Sequence, residues 1–241
     1  MNRISYLIPV FNEVENLRPL FDELSETAER VGVPYEVIFV DDGSTDGSGE
    51  VLQEIARAHP AVRVIAMDRN SGQSAALAAG FAHATGDVII TLDADGQNDP
   101  ADIPRLLRWY GEYDVVNGWR RVRRDRWSKR VASRVGNAVR NRLTGEKIRD
   151  TGCSLKVMNA AMVKRVKMFR GLHRFLPTLL RLEGARVIEV EVQHRPRRHG
   201  VSKYSNWRRA REGWQDLWAV RWMIRRAIRT GSREISPGGR A

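Results

Sequence analysis

The sequence predicts an α/β protein built on a mostly parallel sheet that is flanked by helices. Short apolar runs alternate with amphipathic helical patterns from the start of the chain to residue 117, and the connections between them are brief. That alternation is typical of parallel strands joined by right-handed crossovers. Three of the strand-like runs lead directly into polar or acidic residues. Because ligands bind beyond the carboxyl ends of strands in such sheets, the sequence predicts an acidic, loop-built site at one edge.

Hydrophobic periodicity predicts the individual elements. Five short apolar runs predict strands, at Ile4–Val10, Tyr35–Val40, Val62–Met67, Val88–Leu92 and Asp114–Asn117. Helical patterns lie between them, at Glu15–Arg30, Thr45–His59, Gln73–Ala84 and Asp102–Trp109. The first helix shows the expected one-sided apolar face, with Leu17, Leu20, Phe21 and Leu24.

The rest of the chain has a different character. Residues 120–149 are strongly basic and contain few apolar runs. Residues 207–229 have a helical pattern that holds four of the seven Trp residues, and Trp214, Trp218 and Trp222 recur every four positions along one side. Residues 230–241 are rich in Gly, Ser and Arg and are predicted to form a flexible tail.

Composition narrows the classes of function. The chain has 241 residues, 42% of them hydrophobic, which is enough for one substantial core. Its net charge of +12 favours an anionic partner such as a nucleotide, a phospholipid or another phosphate ester. The single cysteine, Cys153, excludes an intramolecular disulfide and a multi-cysteine zinc site. No signal-peptide pattern and no run of eighteen apolar residues is found, so no membrane-spanning helix is predicted.

The most specific candidate site follows the fourth predicted strand. Asp93 and Asp95 stand one residue apart there, and Gln97 offers a further oxygen ligand. Two carboxylates at this spacing can bind a hard divalent cation together. An isolated Asp-x-Asp motif is, however, more often an ordinary polar turn. Two other turns at the same edge carry Asp42 and Glu13, which serve either as helix caps or as ligands to a base or ribose. Together these loops predict a nucleotide cleft.

The chain resembles a known family of enzymes. It is similar to the family 2 glycosyltransferases, which have the Rossmann-like GT-A fold. Within that family it resembles the dolichol-phosphate mannose synthase-like branch, whose members transfer a sugar to a polyprenyl phosphate. The similarity extends over residues 3–210. It rests on eight segments in the expected order, IPVFNEVENL, VDDGSTDGS, RNSGQSAALAAGFAHATGD, LDADGQNDP, VNGWR, SRVGN, DTGCSLKVM and RRHGVSKYSNWRRA.

The resemblance implies a role for each matching position. Residues of the nucleotide-sugar site would be Pro9, Phe11, Glu13, Asp42, Arg197 and Lys203. Ligands of Mg²⁺ or Mn²⁺, and through it of the donor diphosphate, would be Asp93, Asp95 and Gln97. The acceptor phosphate would contact Arg120, Lys129 and Ser133. The catalytic set would be Asp93, Asp95, Asp150 and Arg120.

The chemistry of the implied reaction also indicates which kind of acceptor fits. The implied reaction is an inverting transfer from a UDP- or GDP-sugar to a polyprenyl (dolichyl or undecaprenyl) phosphate. An alcohol acceptor needs a general base, whereas a phosphate monoester is already ionised near pH 7 and needs cations that position it. The basic stretch after the acidic site meets that need. Asp150 is left with two possible roles, as a base or as a group that orients the acceptor.

The implied organisation has three parts, namely a catalytic domain, an amphipathic helix and the flexible tail of residues 230–241. Residues 1–205 would form the catalytic domain, with the nucleotide sugar bound by residues 1–118 and the acceptor by residues 119–205. Residues 206–229 would form an amphipathic interfacial helix, because Trp beside Arg suits a headgroup interface. The alternative for this helix is packing on the domain's own core. The protein is expected to be cytoplasmic and peripheral on a membrane, with a membrane partner subunit or a homo-oligomer also possible.

Other functions fit less well. A glycosyltransferase of the same family with a glycan or soluble acceptor, or a catalytically silent membrane scaffold, stays open. A sugar-nucleotide pyrophosphorylase would carry a Gly-rich phosphate loop where this chain has PVFNE. Nucleic-acid binding is not expected, since no known binding motif is found and the acidic cleft would repel a phosphate backbone.

Overall fold

A seven-stranded, mostly parallel sheet forms the centre of the molecule, with the strand order β3-β2-β1-β4-β6-β5-β7. The structure is a computed structural model that describes residues 1–120, 136, 138–145, 148–197 and 206–227. Its strands are β1 (Ile4–Val10), β2 (Tyr35–Asp41), β3 (Val62–Ala66), β4 (Val88–Thr91), β5 (Val115–Arg120), β6 (Lys156–Asn159) and β7 (Val187–Val192). The α/β fold class and the mostly parallel sheet predicted from the sequence are therefore confirmed.

Helices cover the sheet. They are α1 (Val14–Val31), α2 (Ser48–Ala58), α3 (Gln73–His83), α4 (Ile103–Leu107), α5 (138–144), α6 (Ala160–Val163), α7 (Leu176–Leu182) and α8 (Asn206–Arg226). Short 3₁₀ turns precede α4 and α7, at Pro100–Asp102 and Leu172–Phe175. Apolar side chains of the sheet pack against these helices in two buried clusters, one of them around Leu17, Leu20 and Phe39 and the other around Leu77 and Phe81.

The parallel half, β3-β2-β1-β4, matches the sequence-based elements most closely. The bounds of β1 are those predicted, and β2 is one residue longer than predicted. The second helix differs, because α2 begins at Ser48 and not at Thr45. The Asp46 carboxylate accepts the backbone N–H groups of Ser48 and Val14, at 3.0 and 3.1 Å, so the residues before Ser48 form a turn that binds the start of α1.

The other half of the sheet contains two strands, β6 and β7, that the sequence patterns did not predict. Strand β6 runs antiparallel between β4 and β5, pairing Thr91 with Lys156 on one side and Asn117 with Lys156 on the other. Its direction is the reverse of its neighbours, so its first residue lies at the same edge as the carboxyl ends of β4 and β5. This arrangement brings the segment 150–155 to the predicted site.

The C-terminal helix packs on the domain through one face. Leu217 and Val220 of α8 are buried against Phe175 and Leu179. Among the described residues, no helix is both long enough and apolar enough to cross a bilayer. The flexible tail predicted for residues 230–241 lies outside the described residues.

Candidate active site

The Asp42 carboxylate joins the end of β2 to the loop before α3. It accepts hydrogen bonds from the backbone N–H groups of Ser71 (2.7 Å) and Gly72 (2.8 Å) and from the Asn70 side-chain amide (3.1 Å). Asp42 is buried. The Asp42 side chain thus fixes the loop of residues 70–72, which borders the predicted nucleotide pocket.

The turn after β1 is bound to the turn after β2. The Asn12 N–H donates to the Ser44 hydroxyl at 2.9 Å, and the Thr45 N–H donates to the Asn12 side-chain oxygen at 2.7 Å. Asn12 has a positive φ of 52°. Pro9 lies within β1 and Phe11 directly after it, so both predicted pocket residues stand at this edge of the sheet.

Asp93 and Asp95 directly follow β4, in the order that the sequence predicts. Asp93 Oδ1 accepts a hydrogen bond from Gln73 Nε2 at 2.7 Å. Asp95 Oδ1 accepts the Gln97 N–H at 3.1 Å, and Asp95 Oδ2 accepts from Arg197 Nη2 at 2.7 Å. The backbone of Gln97 therefore orients Asp95, and the carboxylates are held by separate donors.

Burial raises the pKa of the Asp93 carboxyl, and the negative charge of Asp95 raises it further. The hydroxyl of Ser154 and the positive charges of Lys156 and Arg120 oppose that rise. Two neighbouring carboxylates, one of them buried, are stabilised when a cation binds between them. The cation offsets their mutual repulsion and the cost of burying a negative charge.

Arg197 links two predicted parts of the donor site. Its Nη1 lies 3.4 Å from Glu13 Oε1, and its Nη2 contacts Asp95 as described above. The segment that carries Arg197 is tethered to the sheet edge, since the Arg195 N–H donates to the Gln97 carbonyl at 3.0 Å and the Gln193 N–H donates to a carboxylate oxygen of Asp102 at 2.6 Å. Arg197 is thereby placed beside the acidic pair.

A buried ion pair lies on the other side of β6. The Arg120 guanidinium donates from Nε to Asp150 Oδ2 at 2.7 Å and from Nη2 to Asp150 Oδ1 at 3.0 Å. Burial lowers the pKa of Arg120, but the hydrogen bonds and charge of Asp150 outweigh it and raise that pKa. The geometry is bidentate, which fixes the planes of both groups.

Several side chains hold the Asp150 loop in place. Glu189 of β7 accepts the backbone N–H groups of Arg149 (2.8 Å) and Asp150 (3.0 Å), and the Asn117 amide donates to the Asp150 carbonyl at 2.9 Å. From α5, Arg140 contacts the Thr151 hydroxyl and donates to the Ile148 carbonyl at 2.6 Å. The ion pair is therefore supported from two strands and one helix.

Lys156 is a buried cation at the start of β6, between the acidic pair and the Arg120–Asp150 pair. Its Nζ contacts the Cys153 carbonyl, and burial lowers its pKa. Ser154, in the same segment, donates to the Asn98 side-chain oxygen at 2.5 Å. These contacts tie the segment 150–155 to the turn that carries Asp93 and Asp95.

Sequence reasoning missed several residues that build the site. They are Gln73, Asn98, Asn117, Ser154, Lys156 and Glu189. All of them except Glu189 fall inside segments that carry the family resemblance, so those segments were the available signal. Three predicted site residues, Lys129, Ser133 and Lys203, lie outside the described residues.

The residues present fit a divalent cation that is shared with a substrate. Asp93, Asp95 and Gln97 offer hard oxygen ligands at one turn. Across the part of the chain that the structure describes, no group of three or more His, Cys, Asp or Glu side chains is arranged for a metal. Mg²⁺ is usually bound by one or two carboxylates together with substrate phosphates and water, so an incomplete protein cage is the expected form of such a site.

The α/β fold places an acidic turn and a buried ion pair at one edge of the sheet, and a comparison with known families identifies the class of protein. The model of glycosyl transferase family 2 matches residues 5–167, about two thirds of the chain. The chain belongs to this family. The resemblance seen in the sequence is thereby confirmed.

Curated relatives point to one branch of the family. The chain is 42% identical over 204 residues to an undecaprenyl-phosphate 4-deoxy-4-formamido-L-arabinose transferase of Edwardsiella ictaluri, covering 83% of this chain and 62% of that protein. It is 41% identical over 207 residues to the transferase of the same name from Proteus mirabilis, covering 85% and 64%. The chain thus spans less than two thirds of the length of these relatives.

Solved structures share the fold at lower identity. A mannosyltransferase from Pyrobaculum calidifontis, in complex with GDP-Man and Mn²⁺, superposes with a TM-score of 0.63 at 20% identity, covering 90% of this chain and 63% of that one. The glucosyl-3-phosphoglycerate synthase of Mycobacterium tuberculosis, in complex with Mn²⁺, UDP-Glc and phosphoglyceric acid, gives 0.68 at 20% identity, covering 92% and 80%. The GT-A fold predicted from the sequence is confirmed.

Proposed function

We propose that this protein is a metal-dependent, inverting glycosyltransferase that moves a sugar from a UDP- or GDP-sugar to a polyprenyl phosphate. The observation that carries the proposal is the pair of sites on either side of β6: an acidic turn with Asp93 and Asp95, and a buried cation, Arg120, held by Asp150. The names of the curated relatives support an undecaprenyl-phosphate acceptor. The complexes of the structural neighbours with Mn²⁺ and nucleotide sugars support the donor class and the metal.

The donor would lie along the parallel half, in residues 1–118. Glu13 and Asp42 would bind its nucleoside with Pro9 and Phe11, and Lys203 would join Arg197 at its diphosphate. Asp93 and Asp95, with Gln97, would hold Mg²⁺ or Mn²⁺, which supplies charge stabilisation to the departing diphosphate. Arg197 now contacts Asp95, so it would exchange that carboxylate for a diphosphate oxygen when the donor binds.

The acceptor would lie beyond β5, in residues 119–205, with its phosphate on Arg120, Lys129 and Ser133. An oxygen of that phosphate forms the new bond to the anomeric carbon, on the face opposite the leaving group. The bond between the anomeric carbon and the donor diphosphate breaks, and the electron pair leaves with the nucleoside diphosphate. An ionised phosphate gives up no proton in this step, so Asp150 would serve to orient Arg120 and not as a base.

Helix α8 would place this reaction at a membrane surface. Trp214, Trp218 and Trp222 are 51%, 48% and 63% exposed, whereas Leu217 and Val220 on the other face are buried. One face of α8 therefore packs on the domain, and the exposed Trp face would contact the membrane. Arg221 lies over the Trp218 ring at 5.6 Å, which combines an aromatic group with a positive charge suited to anionic headgroups at the cytoplasmic face.

The same helix contacts the acceptor side. Arg221 Nη1 donates to the Leu143 carbonyl of α5 at 3.3 Å, and α5 also carries Arg140, which holds the Asp150 loop. A bilayer bound to the exposed Trp side chains would therefore lie next to the part of the molecule that receives a lipid phosphate.

A transfer assay tests the reaction class. Radiolabelled UDP- and GDP-sugars are incubated in turn with undecaprenyl phosphate and Mn²⁺, and label is counted in the organic extract. We expect one donor to label the lipid, with loss of the product in EDTA. Donor hydrolysis without a labelled lipid would overturn the acceptor assignment and favour a glycan or soluble acceptor.

Vesicle co-sedimentation tests the membrane surface independently. The variant Trp214→Ser/Trp218→Ser/Trp222→Ser is compared with Trp109→Ser, a matched control at a 40% exposed Trp elsewhere on the surface. We expect the triple variant alone to lose binding to phosphatidylglycerol vesicles. Equal binding by the triple variant and the control would exclude α8 as the docking surface.

A further inference from the structure

Gln73 is a polar residue whose side chain contacts the acidic turn, and the proposed reaction chemistry leaves it without a role. It is the first residue of α3, and its Nε2 donates to Asp93 Oδ1 at 2.7 Å. The bond joins two segments that are twenty residues apart in the chain. Gln73 is thus a direct link between the helix after the nucleotide pocket and the first carboxylate of the acidic pair.

The backbone of Gln73 is fixed on both sides. The preceding residue, Gly72, donates its N–H to Asp42 at 2.8 Å. The following residue, Ser74, is buried, and its hydroxyl lies 2.7 Å from His173 Nδ1 and accepts the Gly171 N–H at 3.1 Å. Two independent anchors therefore hold the start of α3, so the Gln73 amide reaches Asp93 from a rigid base.

An amide is the suitable donor at this place. A lysine or arginine would bind Asp93 as a permanent cation and compete with a metal ion for the same charge. A carboxylate would add a third negative charge beside Asp93 and Asp95. The neutral amide fixes one oxygen of Asp93, and with it the plane of the carboxylate, without altering the net charge of the site.

We infer that Gln73 is a positioning residue of the metal site, whose amide N–H orients the Asp93 carboxylate for the divalent cation. The inference rests on the proposed function, because it takes Asp93 to be a metal ligand. It assigns to Gln73 a role that acts through Asp93 and requires no contact of its own with the metal or the donor.

Direct metal binding tests the inference without any assay of transfer. Free Mn²⁺ is measured by its electron paramagnetic resonance signal while Mn²⁺ alone is titrated into wild type, Gln73→Met and Gln73→Glu. Methionine keeps the volume of glutamine and removes the donor. We expect the Mn²⁺ dissociation constant of Gln73→Met to rise about 10- to 100-fold, the usual effect of losing a partner of a ligand.

The two substitutions separate the effect of the lost donor from the effect of charge. An ionised glutamate cannot donate to Asp93, but it adds a negative charge that attracts Mn²⁺, so Gln73→Glu measures the effect of charge at this position. Gln73→Met leaves the charge of the site unchanged and therefore measures the effect of the lost donor. Wild-type Mn²⁺ affinity in Gln73→Met would overturn the inference.

Controls distinguish this inference from the metal site itself. Gln53→Met changes an exposed glutamine on α2 and is expected to leave Mn²⁺ binding unchanged. Circular dichroism and thermal melting verify that Gln73→Met is folded. No Mn²⁺ binding by wild type, or wild-type affinity in Asp93→Asn, would contradict the proposed metal site. Weakened Mn²⁺ binding in Asp93→Asn together with wild-type affinity in Gln73→Met would contradict only the role of Gln73.

Discussion

The two halves of the sheet handle charge in opposite ways. In the parallel half, the negative charge of Asp95 raises the pKa of Asp93, and Arg197 pairs with Asp95. In the half beyond β6, Asp150 and Arg120 neutralise each other in a bidentate pair. Under the proposed function, the first half would receive a cation with the donor diphosphate, and the second would present the fixed Arg120 guanidinium to the acceptor phosphate. The two halves would then bind different substrates.

The largest expected effect comes from removing a carboxylate of the acidic pair. Asp95→Ala should lower transfer by at least about 10³-fold, since a cation at the leaving group contributes several kcal/mol. Far-UV circular dichroism should be unchanged, because the side chain stands in a turn at the sheet edge. Asp22→Ala, at an exposed position of α1, is the control. Near-normal turnover of Asp95→Ala would refute the metal assignment.

A smaller effect, confined to one substrate, is expected at the ion pair. Arg120→Ala should raise the acceptor KM by about 10- to 100-fold, as expected for loss of a charged hydrogen bond to phosphate, and leave the donor KM nearly unchanged. Steady-state kinetics with each substrate varied in turn measures both constants. Arg186→Ala breaks the comparable but exposed pair with Asp114 and should change neither constant. A raised donor KM with an unchanged acceptor KM would reverse the assignment.

The parallel half also contains a buried carboxylate, Glu36, near the start of β2 and away from the acidic turn. Burial raises the pKa of Glu36, but hydrogen bonds from Ser5, Thr85 and Arg63 outweigh it and lower that pKa from 4.5 to about 2. Glu36→Gln should cost on the order of 2–3 kcal/mol of unfolding free energy at pH 7, measured by urea denaturation.

The pH dependence of that loss follows from the direction of the shift. Glu36 binds its proton more weakly in the folded state, so its contribution is present above pH 4.5 and is lost as the pH falls toward 2. The difference between wild type and Glu36→Gln should therefore shrink on acidification across this range. A difference that stays constant between pH 6 and pH 3 would show that the charge of Glu36 is not its source.

The smallest effect on stability is expected on the outer face of α8. Trp222→Ser should change the unfolding free energy by less than about 0.5 kcal/mol, because the side chain is 63% exposed. Leu217→Ala, on the buried face, should cost about 2–4 kcal/mol. Thermal melting of both variants compares the faces. Similar destabilisation by the two would mean that the Trp face is packed and not available to a membrane.

The two halves also differ in how far the sequence predicts them. The apolar runs of β1 and β2 stand beside helices with clear periodicity, so their elements and the acidic edge could be identified. Strand β6 has only four residues, and its place between β4 and β5 depends on pairing with strands far away in sequence. Strand β7 carries alternating apolar residues at Ile188, Val190 and Val192, a period-two pattern that is typical of a strand.

The sequence likewise predicts some residues of the candidate site and not others. Asp93 and Asp95 are identifiable because their spacing and their place after a strand carry the chemistry. The bond from Gln73 to Asp93 and the support of Asp150 by Glu189 join distant segments, and no local pattern encodes them. Residue types predict which groups react, whereas the contacts that orient those groups depend on the assembled fold.

Binding of the donor nucleotide tests the division between the halves most directly. Isothermal titration of UDP and of GDP, each with Mn²⁺, is carried out on wild type, Asp95→Asn and Arg120→Ala. We predict that wild type and Arg120→Ala bind the same nucleotide with similar affinity, and that Asp95→Asn binds it at least tenfold more weakly. Equal loss in both variants, or undiminished binding by Asp95→Asn, would contradict the separation of donor and acceptor sites.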